Sequence, residues 1–222
     1  GFAFAWWLAA RSLPDYDGER RVAGIGAPVE IVRDHSNVPH IFGRTDADVF
    51  FGLGYAHAQD RLWQMIVLRR TAQGRLSEVF GERTLAMDRL VRRLDLYGLA
   101  TRSVEAQDDA TRAALEAYAA GVNAWLREVN AKALGRGAPE MWLFPQAVSP
   151  WQPADSLALL KLMALQLNGH LEAEVRRARL SLALDPARVA DLMPEAPGAG
   201  VAALPDYAAL VPGPLPRFAA LP

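Results

Sequence analysis

Apolar residues along this chain recur at two different spacings. From about Asp46 to Phe80 they fall three and four residues apart, as in a helix with one buried face. Tyr55, Ala58, Leu62, Met65 and Ile66 share one side of that helix, and His57, Asp60, Arg61 and Gln64 the other. Aspartate and arginine are rarely buried without partners, so the segment reads as a core helix with a fixed polar seam. Gly74 breaks the pattern and Gly81 stops it. A second helix is predicted from Asp108 or Asp109, either of which suits the N-cap, to Val129, with Leu115, Tyr118, Val122 and Leu126 as its stripe. A third starts at Asp155 or Ser156 and runs to about Ala183, interrupted at Asn168-Gly169. It is apolar nearly all round up to Leu167 and is expected to be buried. A short helix over 185–193 follows Asp185-Pro186, an N-cap with proline at the first helical position.

The other spacing is short and alternating. Val29 and Ile31, then Val38 and Ile41, flank the turn-rich tetrad Asp34-His35-Ser36-Asn37, which predicts a β-hairpin. Val38 precedes Pro39 and is biased to extended geometry, which suits a strand start. Residues 12–26 are polar and broken by Pro14, Gly18, Gly24 and Gly26, and read as a linker or loop. Residues 134–154 are an irregular connection with Trp142, Phe144 and Trp151 as anchors, and the chain beyond Pro194 is a Pro- and Ala-rich, non-helical tail. The expected organisation is an apolar segment and linker over 1–26, a body over 27–195 and a tail over 196–222. The fold class is mainly α with one small hairpin.

With 222 residues and 51% hydrophobic content the chain can bury a sizeable core. Its 24 basic and 25 acidic residues offer no basic stripe for nucleic acid. Cysteine is absent, which excludes thiol nucleophiles, disulfides and cysteine-ligated zinc. The apolar run from Gly1 to Ala10, ahead of Arg11, is too short for a bilayer, which needs roughly 20 residues. It suits the end of an export signal or N-terminal anchor, and association with a membrane through it is an expectation; an apolar segment packed on the surface is the alternative.

The chain shows no self-contained catalytic motif: no Gly-x-Ser-x-Gly, His-Glu-x-x-His, phosphate-binding loop or Gly-x-Gly-x-x-Gly. Its histidines, His35, His40, His57 and His170, lack partners at metal-ligand spacing, and the first three read as structural. Glu172 and Glu174 are two apart and diverge on a helix, so they form no acid–base pair by themselves.

Five blocks, in order, resemble the α chain of the penicillin acylase family of N-terminal nucleophile hydrolases. They are Val29–Asp34 closed by Val38-Pro39-His40-Ile41; Gly54–Met65; Arg69–Glu78 with Gly81; Tyr118–Trp125; and Trp151-Gln152-Pro153-Ala154-Asp155. Together they cover about residues 27–182. The resemblance implies a precursor that cuts itself into this α chain and a longer β chain, sharing one four-layer αββα fold. The nucleophile is then the N-terminal Ser of the β chain, with its own α-amine as base. A free α-amine titrates at about 7.7–8.0 and can accept the proton at working pH. No catalytic residue falls in this chain, and the enzyme is expected in the periplasm or cell envelope.

Two roles carry over through the resemblance. A gapless count from Asp155 puts the acyl-pocket positions on Ala164, Leu167 and Asn168. Relatives specific for penicillin G have an Arg-Phe pair where Leu167-Asn168 stands, so phenylacetyl specificity is in doubt here and an aliphatic acyl chain, as in acyl-homoserine-lactone acylases, has room. The alternative is that Leu167 is core and Asn168-Gly169 a helix break. The same count puts the α-chain ligand of a structural calcium on Glu174, with Glu172 as rival and further ligands from the β chain. The alternative for Glu174 is pairing with Arg177 on a solvated face. Outside this family, the chain reads as a non-catalytic helical module that uses Trp6 and Trp7 at a membrane or partner; an inactive family member is a third reading.

Overall fold

A computed structural model of the chain describes residues 2–131, 137–143, 147–167 and 170–194. The fold is mainly helical with one antiparallel hairpin. The chain divides into two units, residues 1–167 and 168–222.

The first unit opens with α1 (Phe2–Arg11), which exposes Phe4, Trp6 and Trp7. Among the described residues no helix is long and apolar enough to cross a membrane. Residues 12–26 carry no helix or strand, as expected, yet they form a strap tied to the body rather than a free linker. The Tyr16 hydroxyl donates to Asp60, and its ring lies 3.9 Å under the Arg33 guanidinium. Arg20 pairs with Glu128 at 2.9 Å, and Val22 and Ile25 pack on the core.

The hairpin is β1 (Glu30–Arg33) and β2 (Pro39–Phe42), with Glu30 opposite Phe42 and Arg33 opposite Pro39. Asp34 builds its turn by accepting from the amides of Ser36 and Val38, and Asn37 takes the left-handed conformation that the turn requires.

Helix α2 (Asp46–Ala72) is the spine. Thr45 caps it by accepting from the Asp48 amide, and the Asp48 carboxylate takes the amides of Gly26 and Ala27, fastening the strap to the helix start. Tyr55, Ala58, Leu62, Met65 and Ile66 are all buried, as the periodicity predicts. The polar seam is half as expected. Asp60 receives both terminal nitrogens of Arg33, whereas Arg61 has no dedicated role in the core: it is exposed and leaves helical backbone geometry. The helix ends in a left-handed Gly74, where Gly74 N–H bonds Thr71 and Arg75 N–H bonds Arg70.

A single turn, α3 (Ser77–Phe80), and a 3-10 turn over Gly81–Thr84 lead to two helices for which the sequence pattern set no expectation, α4 (Leu85–Arg93) and α5 (Leu96–Glu105). The Asp88 carboxylate of α4 accepts from the Leu76 and Ser77 amides and the Ser77 hydroxyl, so α4 caps α3 from outside.

Helix α6 (Asp109–Ala131), capped by Asp108, packs along α2. The two backbones approach so closely that a Cβ on Gly54 would strike the Tyr118 carbonyl, and one on Gly121 the Phe51 carbonyl. Phe51, Tyr55 and Leu62 there meet Val122, Trp125 and Val129 in the main core, with the Tyr55 and Trp125 rings edge to face at 5.7 Å. His57 is hydrogen-bonded, its Nδ1 lying 3.0 Å from the Tyr118 hydroxyl.

After a 3-10 turn over Pro139–Leu143 the chain enters α7 (Pro153–Leu167). Trp151 is buried, as its role as an anchor requires; Trp142, as a side chain, and Phe144 lie outside the described residues. The second unit holds α8 (His170–Ser181) and α9 (Pro186–Leu192); Asp185 caps α9 by accepting from the Arg188 amide, with Pro186 behind it. The predicted third helix is thus two, and the first starts at Pro153, two residues ahead of the expected Asp155, because proline fits the first turn of a helix.

Candidate functional site

The site that follows from the pattern is the outward end of α7, and its position is set at the other end. Helix α6 carries two asparagines seven residues apart, hence on one face. Asn123 exchanges two hydrogen bonds with the Trp151 backbone, and Asn130 does the same with Val148. Together they fix the segment 147–152 on α6 and deliver the chain to the start of α7. The Trp151 indole nitrogen then donates to Ser156.

The first turn of α7 closes on Asp155. Its carboxylate accepts from the Gln152 amide at 2.8 Å, from the Tyr97 hydroxyl of α5 at 2.9 Å and from Gln73 at the end of α2 at 3.4 Å. Arg69 of α2 stands 3.6 Å away, with the two side chains 8% and 2% exposed. Arg69 also donates to the carbonyls of Ser149 and Pro150 and lies over the Trp151 ring. Burial depresses the Arg69 pKa and the Asp155 charge offsets part of that; a guanidinium stays charged throughout. Burial, then the Asp155 charge, raises the Tyr97 pKa, so the phenol remains a donor at neutral pH. One carboxylate thus joins α2, α5 and the approach segment to α7.

Along its length α7 buries Ala154, Ala158 and Leu162, the last two against Ala72, Leu96 and Ala100. The expectation that the helix is buried all round is corrected here: Leu160 is 63% exposed, Met163 57% and Leu167 79%. An apolar helix is fully covered only when packed on every side, and the described residues cover one side. Of the predicted pocket positions, Ala164 and Leu167 lie on this open, apolar end, while Asn168 falls outside the described residues. Glu172 and Glu174 lie on α8, and their side chains are likewise outside the described set. The pocket and the metal position are therefore not brought together by what is described.

Among the described residues, no group of three or more acidic or histidine side chains lies close enough to hold a metal. A cleft of about 400 Å³ opens elsewhere, between the strap and the start of α2, bounded by Gly26, Arg44, Thr45, Asp48 and Phe51. Its acid, Asp48, is engaged by Thr45 and two backbone amides, which with Thr45 first hold its pKa low; the cleft contains no predicted site residue. Sequence reasoning missed the Arg69–Asp155–Tyr97 junction and the two asparagines. The seven-residue spacing of Asn123 and Asn130 was the available signal.

The family model described as penicillin amidase matches residues 28–207. The chain is 38% identical over 157 residues to a penicillin acylase 2 proenzyme of a Pseudomonas species, covering 69% of this chain and 19% of that protein. It is 34% identical over 194 residues to the acyl-homoserine lactone acylase QuiP of Pseudomonas aeruginosa, covering 86% of this chain and 22% of that one. The chain therefore spans about a fifth of the length of these relatives. In structure it matches a thermostable penicillin G acylase from Alcaligenes faecalis with a TM-score of 0.60 and 30% identity, over 74% of this chain and 88% of the matched chain. Fold, aligned sequence and family model agree, and the chain belongs to the penicillin amidase family.

Proposed function

We propose that this polypeptide is the α chain of an amidohydrolase that cleaves an amide of a hydrophobic acyl group, an acyl-homoserine lactone or a β-lactam side chain. The observation that carries the assignment is the agreement of the matches: the penicillin amidase model takes in residues 28–207, and the fold overlays 88% of a penicillin G acylase chain with a TM-score of 0.60. The relative named as a proenzyme supports the same reading. The nucleophile, its α-amino base and the oxyanion hole then belong to a β chain, and acyl transfer proceeds through an ester on that chain's N-terminal Ser. This chain supplies an apolar wall, Ala164 and Leu167 at the open end of α7. An enzyme of the periplasm or cell envelope, with α1 at the membrane surface, suits the exposed aromatic face of that helix.

Calcium takes six to eight oxygens. No described cluster offers them, so Glu174 serves at most as one ligand of a site completed by the β chain, and no chemical step involves it.

The test uses the full-length protein. Mass spectrometry should find two chains, the second beginning with Ser. The matured enzyme should hydrolyse acyl-homoserine lactones with kcat/KM rising about tenfold for each two carbons added until the pocket is full, since each buried methylene contributes about 0.8 kcal/mol. Leu167→Phe should shorten the preferred chain. Fastest turnover on penicillin G, or a profile unmoved by Leu167→Phe, would reject the pocket.

A further inference from the structure

We infer that Asp155, held by Tyr97 and Arg69, is a positioning residue for acyl-chain selection: it sets the direction in which α7 presents its apolar end. The inference rests on the proposed acyl pocket. Asp155 and Leu167 are twelve residues apart on one helix, about 18 Å at 1.5 Å per residue. The helix is therefore a lever whose anchored end is the Asp155 junction and whose free end carries the pocket positions. A tilt of about three degrees at the anchor moves the far end by about 1 Å. Displacement of that size at a binding wall changes turnover by up to about a hundredfold.

Three features make the junction a device for aiming rather than only for stability. Its donors come from three directions: the Gln152 amide from the helix's own approach, Tyr97 from α5, and Gln73 with Arg69 from the end of α2. Arg69 binds both the carboxylate and the carbonyls just ahead of the helix, so the position of the first turn and its rotation are coupled. Beyond Leu162, the last buried residue of the helix, the far end has no such fixation, because Met163 and Leu167 are exposed in this chain. Direction is imposed at one end and read at the other.

The experiment compares matured full-length variants by the ratio of kcat/KM for a ten-carbon to that for a four-carbon acyl-homoserine lactone. A ratio is independent of the amount of correctly folded enzyme. Tyr97→Phe removes one bond to Asp155 and keeps the ring; it should lower the ratio about threefold to tenfold, chiefly through KM for the long chain. Asp155→Asn should lower it further. Tyr55→Phe is the control: its hydroxyl donates to Glu128, which takes no part in the bonds to Asp155, and the ratio should stay at the wild-type value. A ratio unmoved by both Tyr97→Phe and Asp155→Asn, with Leu167→Phe still moving it, overturns the positioning role and leaves the pocket standing. A ratio unmoved by Leu167→Phe as well overturns the pocket, and the inference with it.

Discussion

Replacing Gly121 by Ala should loosen the α2–α6 crossing although alanine is the better helix former. The gain in helix propensity is about 1 kcal/mol. Against it, the new methyl would sit on the Phe51 carbonyl, which is helix backbone and cannot swing aside. Restoring van der Waals contact needs the helices to part by more than about 1 Å, a gap that forfeits a quarter to a half of each dispersion contact across it. Phe51, Tyr55, Leu62, Val122 and Trp125 meet at this crossing, and burial of each is worth about 1.5–3 kcal/mol. A quarter of that sum is about 2–4 kcal/mol, so the net loss is about 2 kcal/mol once propensity is subtracted. Gly98→Ala is the matched control. It too is helical, but the atoms nearest its methyl are those of the Asp95 carboxylate, the free end of an exposed side chain whose bond to Arg102 is worth at most about 1 kcal/mol. Amide hydrogen exchange on the full-length protein reads the effect directly: α6 amides should exchange about thirtyfold faster in Gly121→Ala and near the wild-type rate in Gly98→Ala. Equal protection in Gly121→Ala and wild type, or equal damage from the two substitutions, would refute the close-crossing argument.

Asp88 should govern acid sensitivity around α3. Burial alone would raise its pKa, but bonds from Ser77 and Leu76 outweigh that and hold it below the usual 3.8. Because the folded value is depressed, its contribution is full above that pH and fades as pH falls through the lowered value. Asp88→Asn should therefore weaken the 74–84 segment at pH 7 and flatten its acid dependence, read by limited proteolysis across pH; identical profiles would exclude the role. Residues 12–222 expressed without the rest of the protein should self-associate through the apolar face of α7, and Leu160→Glu with Met163→Glu should relieve it; a wild-type monomer with a sharp thermal transition on size exclusion and melting would argue against this. In the matured protein Glu174→Ala should lose bound calcium by elemental analysis while Glu172→Ala keeps it; unchanged content in Glu174→Ala removes that ligand.

The legible parts of the fold were those written in local periodicity. The buried face of α2, the stripe of α6, the hairpin turn at Asp34–Asn37 and the Asp185-Pro186 cap all follow from residues within a few positions of one another. Helices α4 and α5 escaped because neither opens on a side-chain cap of the kind that marks the start of α9 at Asp185-Pro186. The third helix misled for a different reason. An apolar helix need not be covered on every side, and here the described chain covers the side that faces α5, α2 and α6.

What the sequence determined by itself was the hairpin, helices α2, α6 and α9, the lack of a self-contained nucleophile motif and, through five ordered blocks, the family. Local backbone preference and side-chain period act over a few residues, and a string of residues displays them. What only the tertiary structure decided was which distant groups meet. Arg69 and Asp155 are separated by 86 positions and are joined because α2 and α7 converge on one junction. Gly54 and Gly121 belong to different helices, and each is needed because the other helix's backbone lies against it. Such pairings depend on packing several elements together at once, and no local pattern encodes them.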